Sequence, residues 1–146
     1  MILWRIAADT PTYGADDLTG EGARLTGGRW NRAGTPLVYC STSRALAALE
    51  VLVHLDASDG LPLNRYLVEL TIPDEAWAAR ATVEPAELVG WDAIPAGLAS
   101  LDWGTRWAAA RGGLVAAVPS IVVREETNAL LNPRHPAIRQ VRAKKV

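Results

Sequence analysis

The chain has 146 residues, of which 49% are hydrophobic and 21% charged, and its 15 basic and 16 acidic residues give a net charge of −1. These values fit one cytoplasmic, folded domain over residues 1–146 and exclude an intrinsically disordered chain, while the balanced charge argues against direct nucleic-acid binding. The single cysteine, Cys40, excludes an internal disulfide, and the sequence has neither a secretory signal pattern nor an apolar run near the roughly 20 residues of a membrane span.

The first half of the chain is predicted to contain two strands, a long loop and one helix. Residues 2–7 are predicted as a strand and 8–28 as a loop, whose length is typical of a functional segment. Residues 36–41, rich in β-branched and aromatic side chains, predict a second strand. A serine or threonine at 41–43 can cap a helix over 44–56. This helix is apolar nearly all round, so we expect it to be buried on most sides.

The second half is predicted to mix strands and helices without regular alternation. Residues 74–97 are interrupted by prolines and predict short helical pieces, whereas 98–111 predicts a helix that two glycines end. The basic tail, about 139–146, is expected to be a solvated end. Strands are predicted over 64–72, 114–118 and 121–123. The pattern favours an α+β fold, a compact single domain with central mixed or antiparallel strands and flanking helices.

The helix predicted over 44–56 carries the first candidate for chemistry. Glu50 and His54 interrupt its apolar sequence and, being four residues apart, lie on one face. A glutamate placed there loses hydration, which is unfavourable unless another group pairs with the carboxylate. Two interpretations are open: an ion pair between Glu50 and an arginine elsewhere in the fold, or a catalytic carboxylate that faces a cleft. Because the chain has only one further histidine, His135, no metal site is expected.

Other residues give weaker local signals. The segment Gly-Gly-Arg at 27–29 offers close backbone approach and a planar donor suited to phosphate, although most such sequences are turns. Neither a P-loop nor a dinucleotide-binding glycine fingerprint is present. Tyr39 is either a core side chain or lies at the same end of the fold as Glu50. Ser120 lacks the Gly-x-Ser-x-Gly surroundings of a hydrolase nucleophile.

Several segments form one pattern that extends through nearly the whole chain. They are Trp-Arg-Ile at 4–6, Gly-Gly-Arg-Trp-Asn at 27–31, Gly-Thr-Pro-Leu-Val-Tyr-Cys-Ser at 34–41, Ala-Leu-Ala-Ala-Leu-Glu-Val-Leu-Val-His-Leu at 45–55, Val-Pro-Ser at 118–120 with Asn128, and Leu-Asn-Pro-Arg-His-Pro at 131–136. In this order the segments closely resemble RES-domain proteins, a family named for an arginine, a glutamate and a serine. The resemblance places these on Arg29, Glu50 and Ser120, with Arg5 as a second candidate for the arginine. Cys40 is a mild departure, since a threonine or small residue is common there.

The resemblance implies a toxin of a toxin–antitoxin pair, with a fold similar to ADP-ribosyltransferase toxins and with NAD as substrate. Family members degrade NAD by hydrolysis or phosphorolysis, or transfer ADP-ribose to a protein such as phosphoribosyl-pyrophosphate synthetase. The implied partner is an antitoxin with an Xre-like helix-turn-helix domain, part of which covers the active site. A homo-oligomer within that complex is compatible with the resemblance.

The residues themselves suit this chemistry. Cleavage of the nicotinamide–ribose bond passes through an oxocarbenium-like state that the Glu50 carboxylate can stabilise. Arg29, with backbone access at Gly28, suits the pyrophosphate, and the Tyr39 ring can stack on the nicotinamide. Ser120 would orient Glu50 or bind substrate rather than act as a nucleophile. Possible supporting donors are Asn31 and Ser41.

A rival hypothesis from a different class is a catalytically inactive module that binds NAD or a protein. In that case Glu50 belongs to a buried ion pair and Tyr39 is a core residue. The presence of the full set argues against an inactive copy, since such a copy would be free to lose a member. That set is Arg29, Tyr39, Glu50 and Ser120.

Overall fold

A computed structural model describes residues 1–55 and 64–146. Its elements in chain order are β1 (Ile2–Ala8), α1 (Glu21–Thr26), β2 (Val38–Ser41), α2 (Arg44–Leu52), β3 (Arg65–Thr71), α3 (Asp74–Ala78), β4 (Ala81–Thr82), α4 (Leu98–Ala110), β5 (Val115–Pro119), β6 (Thr127–Leu131), a 3-10 helix (Pro136–Gln140) and β7 (Arg142–Lys145). No helix in these two ranges is long and apolar enough to cross a bilayer.

The described strands form one sheet in the order β4-β5-β6-β2-β1-β3-β7. Neighbouring strands run antiparallel, except for β4 and β5, which are parallel. The late strand β6 lies between β5 and β2, so residues from the two halves of the chain meet at the centre of the sheet. The predicted α+β class is confirmed.

Two hydrophobic clusters cover the two faces of this sheet. Along β6, Ala129 and Leu131 belong to one cluster and Leu130 to the other. This alternation follows from the two-residue period of a strand. The same division separates Val115 of β5 from Val118, so the central strands are buried on both faces.

Helix α2 begins where its sequence predicts but is less buried than expected. The Ser43 side chain caps the helix by accepting a hydrogen bond from the backbone N–H of Leu46 at 3.1 Å. The helix ends at Leu52, and Asp56 of the predicted range lies outside the described residues. Leu46 is buried, whereas Leu52 is 54% exposed. The expectation of burial on most sides is wrong, because α2 packs through one face on β1 and β2.

Helix α4 confirms the helix predicted over 98–111, and its glycine has a packing reason. Gly104 lies against the backbone of Trp30, where an added Cβ would come 1.8 Å from the Trp30 carbonyl oxygen. The helix ends at Ala110, and the C-cap residue Arg111 adopts left-handed backbone angles. Trp103 packs edge-on against Trp30. Close approach of helix and loop at Gly104 therefore determines where the loop that contains Trp30 lies.

Some of the predicted elements are absent and others are new. Residues 121–123 form a turn rather than the predicted strand, because the Ser120 hydroxyl accepts hydrogen bonds from the N–H groups of Val122 and Val123. The sequence prediction missed β6 altogether. The basic tail is also not a free end, because β7 pairs with β3 at the edge of the sheet. The strand predicted over 64–72 is confirmed by β3.

Candidate functional site

The Glu50 carboxylate lies between α2 and the ends of two central strands. Its Oε1 accepts a hydrogen bond from the Ser120 hydroxyl at 2.7 Å and another from the side-chain amide of Asn128. The Asn128 amide oxygen in turn accepts a hydrogen bond from the Ser41 hydroxyl at 2.7 Å. Within the described residues no arginine pairs with Glu50. The carboxylate is thus held by neutral hydrogen-bond donors rather than by an ion pair.

A cavity of about 970 Å³ opens in front of this carboxylate. Its volume is near the upper end of the roughly 300–1,000 Å³ typical of small-molecule sites. The lining includes six of the eight residues predicted as site residues, namely Arg5, Gly28, Arg29, Tyr39, Ser41 and Glu50. Arg65 and His54 also line it, and they add further titratable groups to the wall.

Arg29 reaches this cavity from the turn that follows α1. Its Nη1 donates to the backbone carbonyls of Trp91, at 3.0 Å, and Ala93, at 2.8 Å. These two contacts fix the guanidinium against the loop that carries Ile94 and Pro95, which also line the cavity. Arg29 therefore joins two walls of the cavity and brings a positive charge to it.

Gly28 supports the same turn by lacking a side chain. A Cβ at this position would lie 2.7 Å from the Tyr39 hydroxyl oxygen and 3.1 Å from Asn31 Oδ1. The backbone N–H of Gly28 closes the turn by donating to the carbonyl of Asn31 at 3.0 Å. Close approach of backbone to side chain thus requires glycine here, whatever ligand the cavity takes.

Tyr39 contributes its ring to the cavity and its hydroxyl to the turn. The hydroxyl accepts from the N–H of Trp30 at 3.0 Å and donates to Asn31 Oδ1 at 2.6 Å. Burial raises the pKa of Tyr39 above its ordinary value, against the opposing effects of these backbone contacts and of the Arg29 charge. The hydroxyl therefore remains protonated and serves as a donor at neutral pH.

Two predicted site residues lie behind the wall. Asn31 is fully buried, and its amide donates to the carbonyls of Ala23, Arg32 and Thr35, so it stabilises the turn. Ser120 is also fully buried and faces Glu50 rather than the cavity.

Arg5 and Cys40 also line the cavity, Arg5 with an anchored guanidinium and Cys40 with a neutral thiol. The Arg5 guanidinium donates through Nη1 to the carbonyl of Asp17 at 2.8 Å, which ties β1 to the long loop before α1. Burial raises the pKa of the Cys40 thiol to about 12, so Cys40 is a neutral thiol at physiological pH. Of the two, only Arg5 offers a charge to a ligand.

The sequence prediction gave Asn128 no role, although it is the second donor to Glu50. A polar side chain at one end of an otherwise apolar segment, Asn-Ala-Leu-Leu at 128–131, is the signal that was available. The role of this residue becomes apparent only from the pairing of β6 with β2, which places Asn128 opposite Ser41.

A model of the RES domain matches residues 2–145 of the chain. The chain belongs to the RES domain family. The family prediction made from the sequence segments is therefore confirmed, and the match extends over all the elements that build the cavity.

Other members of the RES domain family are similar over nearly their whole length. A Sphingobium protein named "Prs ADP-ribosylating toxin" is 54% identical over 144 residues, which are 98% of this chain and 89% of that protein. A Pseudomonas putida protein named "Toxin Res" is 40% identical, over 93% of this chain and 87% of that protein. This chain is thus a homologue of an ADP-ribosylating toxin.

A solved structure shares the fold at lower sequence similarity. It is the crystal structure of the Mycobacterium tuberculosis MbcT-MbcA toxin–antitoxin complex, with a TM-score of 0.62 and 18% identity. The similarity covers 99% of this chain and 83% of that chain. The likeness supports the α+β architecture described above.

Proposed function

We propose that this RES domain protein is a toxin that cleaves the bond between nicotinamide and ribose in NAD and transfers the ADP-ribose group. The observation that carries the proposal is the Glu50 carboxylate, held through Oε1 by Ser120 and Asn128 at the wall of the large cavity. Breaking a glycosidic bond develops positive charge on the sugar, and a fixed carboxylate nearby stabilises that charge. Nicotinamide leaves with the bonding electron pair, and the acceptor gives up a proton as it bonds to ribose.

The arginines suit the pyrophosphate of the same substrate. Arg29 commits Nη1 to two backbone carbonyls, and its other guanidinium nitrogens remain for a phosphate. Arg5 adds a second charge at the same cavity, and Gly28 leaves the backbone accessible. A planar donor with several N–H groups binds phosphate oxygens in pairs, which a lysine cannot do.

The remaining predicted residues bind the nicotinamide or hold Glu50 and Arg29 in place. The Tyr39 ring, part of the cavity wall, provides a flat surface for the nicotinamide. Ser120 and Ser41 orient the carboxylate, the first directly and the second through Asn128. Asn31 holds the turn below Arg29 rather than contacting NAD itself.

The acceptor in this proposal is a protein, with phosphoribosyl-pyrophosphate synthetase as the first target to test. The name of the Sphingobium relative, 54% identical, supports transfer to a protein. Water or phosphate remains the alternative acceptor, since all three require the same glycosidic cleavage.

We further propose that an antitoxin with an Xre-like helix-turn-helix domain covers the cavity in the cytoplasm, within a complex compatible with toxin homo-oligomers. An exposed apolar side chain at the cavity supports a protein cover, since Ile94 lines the cavity and is 82% exposed. The membrane and nucleic acids have no part in this proposal.

The test is nicotinamide release from NAD by purified wild-type protein and by Glu50→Gln, which preserves shape and removes charge. We expect release by the wild type and a loss of about 100-fold or more in the variant, the scale for removing one group that stabilises a transition state. Glu87→Gln, in an exposed glutamate outside the cavity, should keep full activity. Circular dichroism should show all three proteins folded.

The acceptor is identified by repeating the reaction in phosphate, in phosphate-free buffer, and with purified phosphoribosyl-pyrophosphate synthetase and labelled NAD. Label on the synthetase supports the protein acceptor, whereas nicotinamide release in the absence of the synthetase supports water or phosphate as the acceptor. Tight NAD binding with no release under any condition would instead support the inactive binding module.

A further inference from the structure

Asn128 connects the Glu50 carboxylate to the neighbouring strand. It is the register partner of Ser41, because β6 pairs antiparallel with β2 at this point. Its amide nitrogen donates to Glu50 Oε1, and its amide oxygen accepts from the Ser41 hydroxyl at 2.7 Å. The result is a chain of hydrogen bonds from the sheet to the carboxylate.

The chemistry of the three groups fixes the direction of this chain. An ionised carboxylate only accepts hydrogen bonds, so the Asn128 amide must turn its nitrogen towards Glu50. The amide oxygen then faces Ser41, whose hydroxyl is able to donate. With the amide reversed, two acceptors would face one another and the Glu50 contact would become repulsive.

Two donors on one carboxylate oxygen leave the other oxygen for a ligand. Ser120 and Asn128 both donate to Oε1, and none of the described residues donates to Oε2. A glutamate side chain with three rotatable bonds is thereby restricted to one orientation at the wall of the cavity. An arrangement of this kind matters for rate, because a misplacement of about 1 Å can cost about 100-fold in a reaction that depends on geometry.

We infer that Asn128 is a positioning residue that holds Glu50 Oε1 so that Oε2 faces the substrate, and that Ser41 sets the direction of the Asn128 amide. This inference rests on the proposed function for its effect on rate, while its geometric content can be measured in the free protein. It assigns to Asn128 no direct contact with NAD.

The kinetic test compares wild type with Asn128→Ala, Asn128→Asp and Ser41→Ala in nicotinamide release. We expect Asn128→Ala to lower kcat about 100-fold with KM for NAD changed less than threefold, and Ser41→Ala to lower kcat less, because the amide remains. Gln140→Glu, in the exposed 3-10 helix, adds a charge as Asn128→Asp does and should leave kcat and KM unchanged. An equal loss in kcat and gain in KM would indicate general damage to the site and overturn the inference.

Asn128→Asp gives a signature that a purely structural role would not produce. In Asn128→Asp two carboxyl groups in contact share one proton, and while that proton is bound the new carboxyl can donate to Glu50 as the amide did, so the variant should lose activity relative to wild type as the pH rises and the proton leaves. Other titratable or charged groups at the cavity are common to all the proteins, so the ratio of variant to wild-type kcat isolates this effect. They are Arg5, Tyr13, Arg29, Tyr39, Cys40, His54 and Arg65. A ratio that is independent of pH would overturn the inference.

A second measurement does not depend on any activity. The side-chain amide signals of Asn128 in a nitrogen-15 NMR spectrum, identified by their loss in Asn128→Asp, should shift in Glu50→Gln and in Ser41→Ala. If the wild type releases no nicotinamide, the proposed function fails, while these shifts still decide whether Asn128 holds Glu50. Signals unaffected by Glu50→Gln would overturn the inference even in an active enzyme.

Discussion

Tyr39 shows how one residue can serve the cavity and the fold through different atoms. Its ring belongs to the cavity wall, whereas its hydroxyl joins the N–H of Trp30 to Asn31 Oδ1. The turn fixed by this hydroxyl carries Arg29, so the tyrosine acts on the phosphate side of the proposed site without touching it.

Tyr39→Phe separates the two contributions. We expect a loss of about 1–3 kcal/mol in the free energy of unfolding, because Trp30 N–H and Asn31 Oδ1 lose a partner in a buried place. KM for NAD should rise more than kcat falls, since the ring remains while the turn below Arg29 loosens. Denaturant unfolding and nicotinamide release measure the two effects. Tyr66→Phe, at an exposed tyrosine of β3, should change neither; a Tyr39→Phe protein as stable as wild type would contradict the argument.

The sequence predicted some residues of the candidate site but not all of them. The RES-domain pattern indicated Glu50 and Arg29, the chemistry of NAD cleavage indicated Tyr39, and the structure places all three at one cavity. The sequence could not assign Asn128, because that role depends on the register with Ser41, a residue 87 positions away. Local spacing contains no information about such a pairing.

At the scale of elements, the contact between α4 and the turn at Trp30 has an unusual requirement. A helix interior normally favours alanine over glycine by up to about 1 kcal/mol. Here the backbone of Trp30 occupies the space that a Cβ at Gly104 would need. Helix propensity therefore predicts that Gly104→Ala stabilises the protein, whereas packing predicts that it destabilises it.

Packing should prevail in Gly104→Ala. We expect the free energy of unfolding to fall by about 1–3 kcal/mol, the usual cost of inserting atoms into a filled interior. Urea unfolding followed by tryptophan fluorescence measures this change. Gly112→Ala is the matched control, because no heavy atom lies within 4 Å of a Cβ built there, and it should be close to neutral. A stabilised Gly104→Ala protein would show that the helix can move away from Trp30.

Elements were predictable where the local signals were strong. The serine cap predicted the start of α2, and the two glycines after α4 predicted its end to within one residue. The β-branched residues 121–123 favoured a strand, but the Ser120 hydroxyl accepts hydrogen bonds from the N–H groups of Val122 and Val123 and holds the segment in a turn. A side chain that competes for backbone hydrogen bonds is hard to foresee from propensity.

At the scale of the whole molecule, an ion pair joins the two ends of the described chain. Lys145 of β7 donates to both carboxylate oxygens of Asp9, at 2.7 and 2.9 Å, just after β1. The hydrogen bond from Lys145 lowers the pKa of Asp9 below its ordinary value of 3.8, and the contact with Asp9 raises the pKa of Lys145. The exposed pair should therefore make stability depend on pH at both extremes.

Asp9→Asn tests this dependence. A carboxyl whose pKa is lowered on folding stabilises the protein above about pH 4 and loses that effect as the pH falls through the folded value. The wild type should thus be slightly more stable than Asp9→Asn at pH 7, and the difference should vanish once the pH is below the folded pKa of Asp9. It should also decrease above pH 10.5, where Lys145 begins to lose its proton. Denaturant midpoints at several pH values measure it; a constant difference would contradict the assignment, and Glu87→Gln is the control.

The residues that hold Glu50 lie far from it along the chain, and this spacing has a consequence during synthesis of the protein. The donors Ser120 and Asn128 follow Glu50 by 70 and 78 residues, and β6, which carries Asn128, fills the middle of the sheet. A growing polypeptide on the ribosome therefore lacks an assembled site until most of its length has emerged. With translation at roughly 5–20 residues per second, the cell has several seconds in which the emerging toxin is harmless. A partner protein made beforehand would have that interval in which to meet the chain.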